Sequence, residues 1–255
     1  MSDPLQGGPE EEGFLTHLIE LRSRLIRALA AVGVILLGML PFSNKLYTLL
    51  ALPLLRSLPA GAHMIATEVT TPFFVPMKVA MMASLMVALP YVLWQVWAFV
   101  APGLYAHEKR MVLPLVVSST VLFYCGMAFA YFLVFPVVFG FITQVAPEGV
   151  AVMTDIDKYL GFVLTMFLAF GVTFEVPVAV VVLVRLGVVT VETLRSIRRY
   201  VIVGAFVVGA IFTPPDVVSQ SMLALPLWLL YEVGIIAAAR WKPAPAAEVG
   251  EVARR

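Results

Sequence analysis

The sequence predicts an all-α membrane protein with six transmembrane helices, both termini on the cytoplasmic side, and a single helical domain over residues 14–240. Three observations predict this fold. The composition, 61% hydrophobic and 13% charged, differs strongly from the roughly 45–50% apolar and 25% charged residues of soluble domains. Six apolar blocks follow one another. Thirteen of the 17 Lys and Arg residues lie before or within the first turn of the first block, after the last block, or in every second gap.

Most blocks are long enough to cross a membrane, because about 20 helical residues span about 30 Å of hydrocarbon. The blocks cover residues 25–42, 73–100, 111–142, 159–184, 200–212 and 217–239. The fifth has only 13 residues and would reach about 20 Å. We expect it either to form a re-entrant hairpin with the sixth block or to thin the bilayer around it.

The distribution of basic residues predicts the orientation, because cytoplasmic loops retain Lys and Arg. The thirteen residues assigned to the cytoplasmic side are Arg22, Arg24, Arg27, Lys109, Arg110, Arg185, Arg195, Arg198, Arg199, Arg240, Lys242, Arg254 and Arg255. Residues 1–13 are acidic, unlike the basic start of a signal peptide, and we expect a disordered cytoplasmic lead-in. Residues 241–255 are expected to form a cytoplasmic tail.

Four prolines inside apolar blocks predict bent helices. Each removes one backbone donor and frees the carbonyl four residues earlier. They are Pro90, Pro136, Pro177 and Pro226. We therefore expect a curved wall of helices and not a compact bundle.

The chain has no motif of a known enzyme class. There is no phosphate-binding glycine loop, no HExxH and no GxSxG, and its three histidines are scattered. The lone Cys125 excludes a cysteine metal cluster, and a net charge of +1 gives no reason to expect nucleic acid. We expect no catalytic residue, no metal site and no cofactor.

Two carboxylates lie at the predicted cytoplasmic edge of the membrane. Glu20 precedes the first block, and its spacing allows either an ion pair with Arg24 one turn on or a ligand site. Glu108 follows the second block, where Lys109 or Arg110 can neutralise it or a ligand can bind. If both carboxylates face one pocket, they suit two adjacent guanidinium groups, because arginine presents a planar fork of donors to a carboxylate.

A third carboxylate, Glu175, lies inside the fourth block. It is about ten residues, or about 15 Å, from the predicted cytoplasmic end. A charge at that depth costs about 2.5 kcal/mol or more, so such residues are by default functional or paired inside the protein. Pro177 frees the carbonyl of Thr173, and we expect a polar notch beside Glu175.

Five strings of residues, taken together and in order, resemble the TatC family, the multispanning subunit of the twin-arginine protein translocase. They are HLIELRSRL at 17–25, MIATEVTTPFFVP at 64–76, QVWAFVAPGLYAHEKR at 95–110, FGVTFEVPV at 170–178 and VGAFVVGAIFTPPDVVSQ at 203–220. The resemblance covers about residues 14–240.

The resemblance implies a concave, glove-like fold of kinked helices and a non-enzymatic receptor in the bacterial inner membrane. Such a receptor binds the twin-arginine signal peptides of folded proteins. It assembles with single-span subunits of the TatA and TatB type, with several copies of itself and with membrane lipid. Export then draws on the protonmotive force, and neither a cofactor nor nucleic acid is implied.

The resemblance also implies roles for single residues. Glu20 and Glu108 would bind the paired arginines, with Arg22 and Phe99 bordering the site, and Glu175 would be the intramembrane glutamate on the concave side. A partner helix would dock at Ala210, Ile211 and Thr213.

Two other functions are compatible with the carboxylates. A proton-coupled small-molecule transporter would use Glu175 as its coupling site, although only the fourth block has the polar break that inverted repeats place twice. A structural scaffold would use the carboxylates only to balance neighbouring bases.

Overall fold

The protein is almost entirely helical in the parts of the chain that the structure describes. This computed structural model describes residues 9–57, 64–104, 112–145, 153–213 and 216–240. Its helices are α1 (Pro9–Met39), α2 (Ser43–Ser57), α3 (Thr71–Leu104), α4 (Val112–Phe129), α5 (Phe135–Val145), α6 (Ile156–Phe174), α7 (Val176–Arg185), α8 (Val191–Ser196), α9 (Arg198–Phe212) and α10 (Val217–Arg240). The predicted all-α fold is confirmed.

Five helical stretches are long and apolar enough to cross a membrane. They are Leu18–Leu52, Thr71–Val100, Val112–Phe141, Ile156–Arg185 and Val217–Arg240. The fifth apolar block forms α9, whose 15 residues reach about 22 Å, less than the roughly 30 Å of hydrocarbon. Five long stretches and one short helix are consistent with the predicted six.

The first helix begins earlier than the sequence led us to expect. α1 starts at Pro9, inside the segment 1–13 that was predicted to be a disordered lead-in. Proline suits the first position of a helix. Residues 1–8 and the predicted tail at 241–255 lie outside the described residues.

Two of the four prolines coincide with interruptions of a helix. A π-helical turn at Ala130–Val134 precedes Pro136, and α6 ends at Phe174, three residues before Pro177. Pro90 and Pro226 lie within the continuous helices α3 and α10. The bends at those two positions stay predictions.

The helices group into two compact units. The first contains Met1–Leu55, Ala62–Thr120 and Met153–Leu160, and the second contains Arg56–Gly61, Val121–Val152 and Gly161–Arg255. The single domain over residues 14–240 stays a prediction.

In the first unit, α1 packs along α3, and polar side chains join helices where apolar ones would be expected. Trp97 Nε1 of α3 donates to the buried Ser119 Oγ of α4 at 2.9 Å. The Tyr159 hydroxyl donates to the carbonyl of Leu50 at 2.8 Å, which joins the start of α6 to α2.

Residues 64–70, together with 153–157, form a small cap in the first unit. Ile65 makes an isolated parallel bridge with Asp155, and Asp155 Oδ2 accepts hydrogen bonds from the amide and the hydroxyl of Thr67, at 3.0 and 2.6 Å. Lys78 of α3 pairs with Asp157 at the start of α6, with 2.5 Å between Nζ and Oδ1. The cap therefore ties α3 to α6.

In the second unit, α4 and α5 pack on α6 through aromatic rings whose centroids are 5.3 to 6.4 Å apart. The rings belong to Phe129, Tyr131, Phe135, Phe139, Phe162, Phe167, Phe170 and Phe174. Gly126 allows the close approach of α4 to α6, because a Cβ there would lie 2.4 Å from the carbonyl oxygen of Phe170.

A second core of this unit joins α7, α8 and α10. Its buried residues are Val180, Val181, Leu194, Tyr231, Ile235 and Ala238. The Tyr231 hydroxyl donates to the carbonyl of Leu194 at 2.9 Å, and Arg198 Nη2 lies 2.7 Å from Glu232 Oε2. The start of α9 is thereby fixed to α10.

We predict that Gly126→Ala destabilises the protein by about 1–3 kcal/mol, the usual cost of overpacking a filled core. The added methyl group meets main-chain atoms of α6, which cannot rotate out of the way. Gly140→Ala on α5 is the matched control, since nothing lies within 4 Å of a Cβ at that position. Thermal unfolding in detergent measures both variants, and equal midpoints for the two would contradict this packing.

We predict that acid loosens the cap through Asp155. Hydrogen bonds, above all that from the Thr67 hydroxyl, lower the pKa of Asp155 from 3.8 to about 2. Because the pKa is lower in the folded state, the carboxylate stabilises the cap fully above about pH 4, and this contribution is lost as the pH falls toward about 2. Protection factors of the Ile65 and Thr67 amides against hydrogen exchange should therefore fall between about pH 5 and about pH 2.5.

Two variants show whether Asp155 causes that fall. Asp155→Asn should lower the protection already at the higher pH and remove most of its pH dependence. Glu68→Gln, at an exposed position of the same cap, should behave as the unmodified chain does. An unchanged pH dependence in Asp155→Asn would rule out this role for the carboxylate.

Candidate functional site

The predicted acceptor Glu20 is paired with an arginine of its own helix. Nε and Nη2 of Arg24 both donate to Oε1 of Glu20, at 2.9 and 2.6 Å. The Arg24 side chain is 22% exposed and that of Glu20 is 35% exposed. The ion pair that the spacing allowed therefore forms. It is partly open to solvent and not enclosed, so it does not exclude a ligand at the same carboxylate.

Gln95 of α3 lies on the other side of the Arg24 guanidinium. Its Oε1 is 3.5 Å from Arg24 Nη1, which is a long and weak hydrogen bond. Gln95 is buried, with 7% of its surface exposed. Sequence reasoning missed this residue as part of the site, although an amide in the apolar run from Val79 to Val100 was a signal, because buried polar groups need partners.

The structure brings the remaining predicted residues of this site together only in part. Arg22 is exposed on α1, two residues from Glu20. Phe99 is half-buried on α3, one helical turn beyond Gln95 and so on the same face. Glu108 lies outside the described residues, four positions after the end of α3 at Leu104.

Glu175 of the second unit lies where the fourth apolar block is interrupted. α6 ends at Phe174 and α7 begins at Val176, and the amide of Glu175 donates to the carbonyl of Val172, three residues earlier, at 3.0 Å. Both carboxylate oxygens are shielded from solvent. α10 packs closely against the start of α7, next to this interruption, because a Cβ at Gly234 would lie 3.0 Å from the Cα of Pro177.

The three residues predicted for partner docking differ in their exposure to solvent. Ala210 and Ile211 are exposed on α9, and Ile211 has 70% of its surface accessible. Thr213 is buried, and its hydroxyl donates to the carbonyl of Gly209 at 2.8 Å. Ile211 continues an exposed apolar stripe of α9 that contains Tyr200, Val203 and Val207.

The side chain of Gln220 joins the start of α10 to the C-terminal half of α9. Gln220 Nε2 donates to the carbonyl of Phe206 at 2.9 Å, and a Cβ at Gly209 would lie 3.0 Å from the main chain of Gln220. Asp216 caps α10 by accepting from the amide of Ser219 at 2.6 Å, the role that an aspartate directly before the first residue of a helix favours. The C-terminal half of α9 is therefore held by α10.

No group of three or more His, Cys, Asp or Glu residues within the described ranges is placed to hold a metal ion. The carboxylates of these sites can form hydrogen bonds and charge pairs. Glu20 in particular already binds a guanidinium group. A planar cation of this kind from another molecule would find the same acceptor.

Comparison with protein families identifies the TatC family. The model of the TatC family, described as Sec-independent protein translocase protein (TatC), matches residues 16–226. A protein of this name from Azotobacter chroococcum mcd 1 is 58% identical over 226 residues, which cover 89% of each chain. Its namesake from Escherichia coli (strain K12) is 55% identical over 226 residues, covering 89% of this chain and 88% of that protein.

Solved structures give the same result. A crystal structure of the twin-arginine translocase receptor TatC is 39% identical and has a TM-score of 0.77, covering 88% of this chain and 98% of that chain. A second crystal structure of this receptor, in the detergent DDM, is also 39% identical and has a TM-score of 0.79, covering 87% of this chain and 99% of that one.

Proposed function

The chain belongs to the TatC family of Sec-independent protein translocase proteins, and on this basis we propose that it is the receptor for twin-arginine signal peptides of folded proteins. It is a multi-pass membrane protein of that translocase. The family consists of translocase components and not of enzymes, so the expectation of a non-enzymatic protein is confirmed. The alternative of a small-molecule transporter finds no support, since the family and the relatives are translocase proteins.

The observation that carries this proposal is the contact between Glu20 and a guanidinium group. Two N–H donors of Arg24 reach one carboxylate oxygen, so the position accepts a guanidinium, and the side chain keeps about a third of its surface open. In the proposal, Glu20 and Glu108 accept the arginines of the signal peptide, and Arg22 and Phe99 border the site. A lysine presents a point charge and not a fork, so it binds less well.

We propose that both termini lie in the cytoplasm and that the membrane is the bacterial inner membrane. The distribution of Lys and Arg between the apolar blocks supports this orientation. The ends of α7 and α10 at Arg185 and Arg240, and the start of α9 at Arg198, would then share the cytoplasmic edge. This edge is also where an arginine pair of a newly made protein arrives.

We propose that Glu175 forms an intramembrane polar site. The interruption between α6 and α7 at this residue and the shielding of its carboxylate oxygens from solvent support this role, because an ionisable residue inside a membrane helix is expensive to keep. Protonmotive force would act on the translocase of which this site is a part.

We propose further that single-span subunits of the TatA and TatB type dock on α9, next to other copies of the chain and membrane lipid. The exposed stripe that ends at Ala210 and Ile211 supports a docking face. Thr213 contributes by fixing the end of the helix, since its hydroxyl is occupied by the carbonyl of Gly209.

Binding of a twin-arginine peptide to the full chain in lipid nanodiscs tests the receptor function. Glu20→Gln and Glu108→Gln should each weaken binding about tenfold or more, because a charge-assisted hydrogen bond contributes about 1.5–3 kcal/mol. A twin-lysine peptide should bind less tightly than the twin-arginine peptide. Glu192→Gln, at an exposed position of α8, changes the charge equally and should have little effect. Unchanged binding by the variant with both substitutions would refute the assignment.

Copurification of a TatA- or TatB-type subunit with the chain tests the docking face. Ile211→Ser should reduce the recovered partner about fivefold, because packing lost at a helix contact in a membrane is worth on the order of 1 kcal/mol. Val117→Ser on α4 removes an apolar side chain of similar exposure and should leave recovery unchanged. Equal recovery with both variants would place the partner elsewhere.

A further inference from the structure

The carboxylate of Glu20 is already occupied by a residue of the same chain. Arg24 directs Nε and Nη2 to the same oxygen of Glu20, which is the kind of contact that an arginine of a bound peptide would make. Two guanidinium groups on one carboxylate repel each other. A peptide arginine that binds Glu20 must therefore compete with Arg24.

The pair with Arg24 is suited to exchange. Its members are four residues apart on one helix, and such pairs are weak because each side chain gives up rotational freedom to form them. The Glu20 side chain is also 35% exposed, so water screens the attraction. A second cation can therefore replace the first at little cost.

Gln95 provides a second acceptor for the arginine that is displaced. Its Oε1 lies 3.5 Å from Arg24 Nη1, a contact that a small movement of the guanidinium would shorten to a normal hydrogen bond. Gln95 is buried on α3, and a buried amide carbonyl gains from a charged donor. Arg24 thus has Glu20 on one side and Gln95 on the other.

We propose that Arg24 is a resident competitor that sets the affinity of Glu20 for its ligand, and that Gln95 receives Arg24 when an arginine of the peptide takes its place. This inference rests on the proposed receptor function. It makes Arg24 and Gln95 affinity-determining residues. The bound peptide is retained only if its own contacts exceed the one that it breaks.

Arg24 could instead position the Glu20 carboxylate, and that role predicts the opposite change in peptide affinity when Arg24 is removed. If Arg24 only held the Glu20 carboxylate in the correct position, its removal would weaken peptide binding. If Arg24 competes, its removal strengthens binding. The sign of the change therefore decides between the two roles.

The test measures the affinity of a fluorescent twin-arginine peptide for the full chain in lipid nanodiscs. Arg24→Gln should tighten binding about three- to tenfold, as expected for the loss of a partly exposed charged competitor. Arg24→Lys keeps the charge but not the planar fork of donors. Its affinity for the peptide should lie between that of the unmodified chain and that of Arg24→Gln. Arg27→Gln, three residues further along the exposed side of α1, removes the same charge and serves as the control. Tightening no larger than that of the control, or weakening, overturns the proposal.

Gln95→Leu supplies a second measurement that a purely structural role would not reproduce. In the unmodified chain it should weaken peptide binding severalfold, because the displaced Arg24 loses its acceptor. In the Arg24→Gln background it should have no effect on affinity. An equal loss in both backgrounds would overturn the role of Gln95.

The design separates this proposal from the receptor function on which it rests. If the unmodified chain does not prefer a twin-arginine to a twin-lysine peptide, the receptor function fails. If the unmodified chain prefers the twin-arginine peptide but Arg24→Gln and Arg27→Gln bind it with equal affinity, only the proposed competition by Arg24 fails. Circular dichroism and thermal unfolding of each variant verify that the chain is folded.

Discussion

Hydrocarbon accepts an ionised side chain only at its edge or in a pair, and this constraint determines where the helices of this chain begin and how they are joined. Within the described ranges the ion pairs are Arg24 with Glu20, Lys78 with Asp157, and Arg198 with Glu232. One member of each pair lies near the start of a helix: Glu20 and Asp157 lie within two residues of the start of a candidate span, and Arg198 is the first residue of α9. Two of them join different helices, and the third extends to α3 through Gln95. The charges of the spans therefore hold helix ends together.

Features that depend on neighbouring residues could be predicted from the sequence. The lengths of the apolar runs predicted the six blocks, and the spacing of four residues allowed the ion pair of Arg24 with Glu20. Features that depend on how one helix is rotated against another could not be predicted. The contacts of Gln95 and Gln220, and the bridge between Ile65 and Asp155, join residues that are far apart or on separate helices, and no local pattern specifies them.

In the candidate site, too, some features depend on neighbouring residues and others on contacts between helices. Glu20 stands out in the sequence because a carboxylate beside a membrane requires a reason, but the state of that carboxylate is decided by tertiary contacts. Arg24 satisfies it in the described structure, and Gln95 lies within reach of the same guanidinium. A receptor for arginine pairs needs acceptors that are charged and remain accessible to the peptide. A partly exposed ion pair within one helix meets both requirements, because it prevents an uncompensated charge at the membrane edge and still opens at small cost.

Exchange of one guanidinium for another at the Glu20 carboxylate can be measured directly. Solid-state NMR can measure the distance from a ¹³C-labelled side-chain carboxyl of Glu20 to ¹⁵N-labelled guanidinium groups of a bound twin-arginine peptide in lipid. We expect a strong carbon–nitrogen dipolar coupling between Glu20 and the bound peptide. When Arg24 carries the ¹⁵N label instead, we expect its coupling to Glu20 to be lost on peptide binding. A Glu20 carboxyl that remains coupled to Arg24 and shows no coupling to the bound peptide would contradict this exchange.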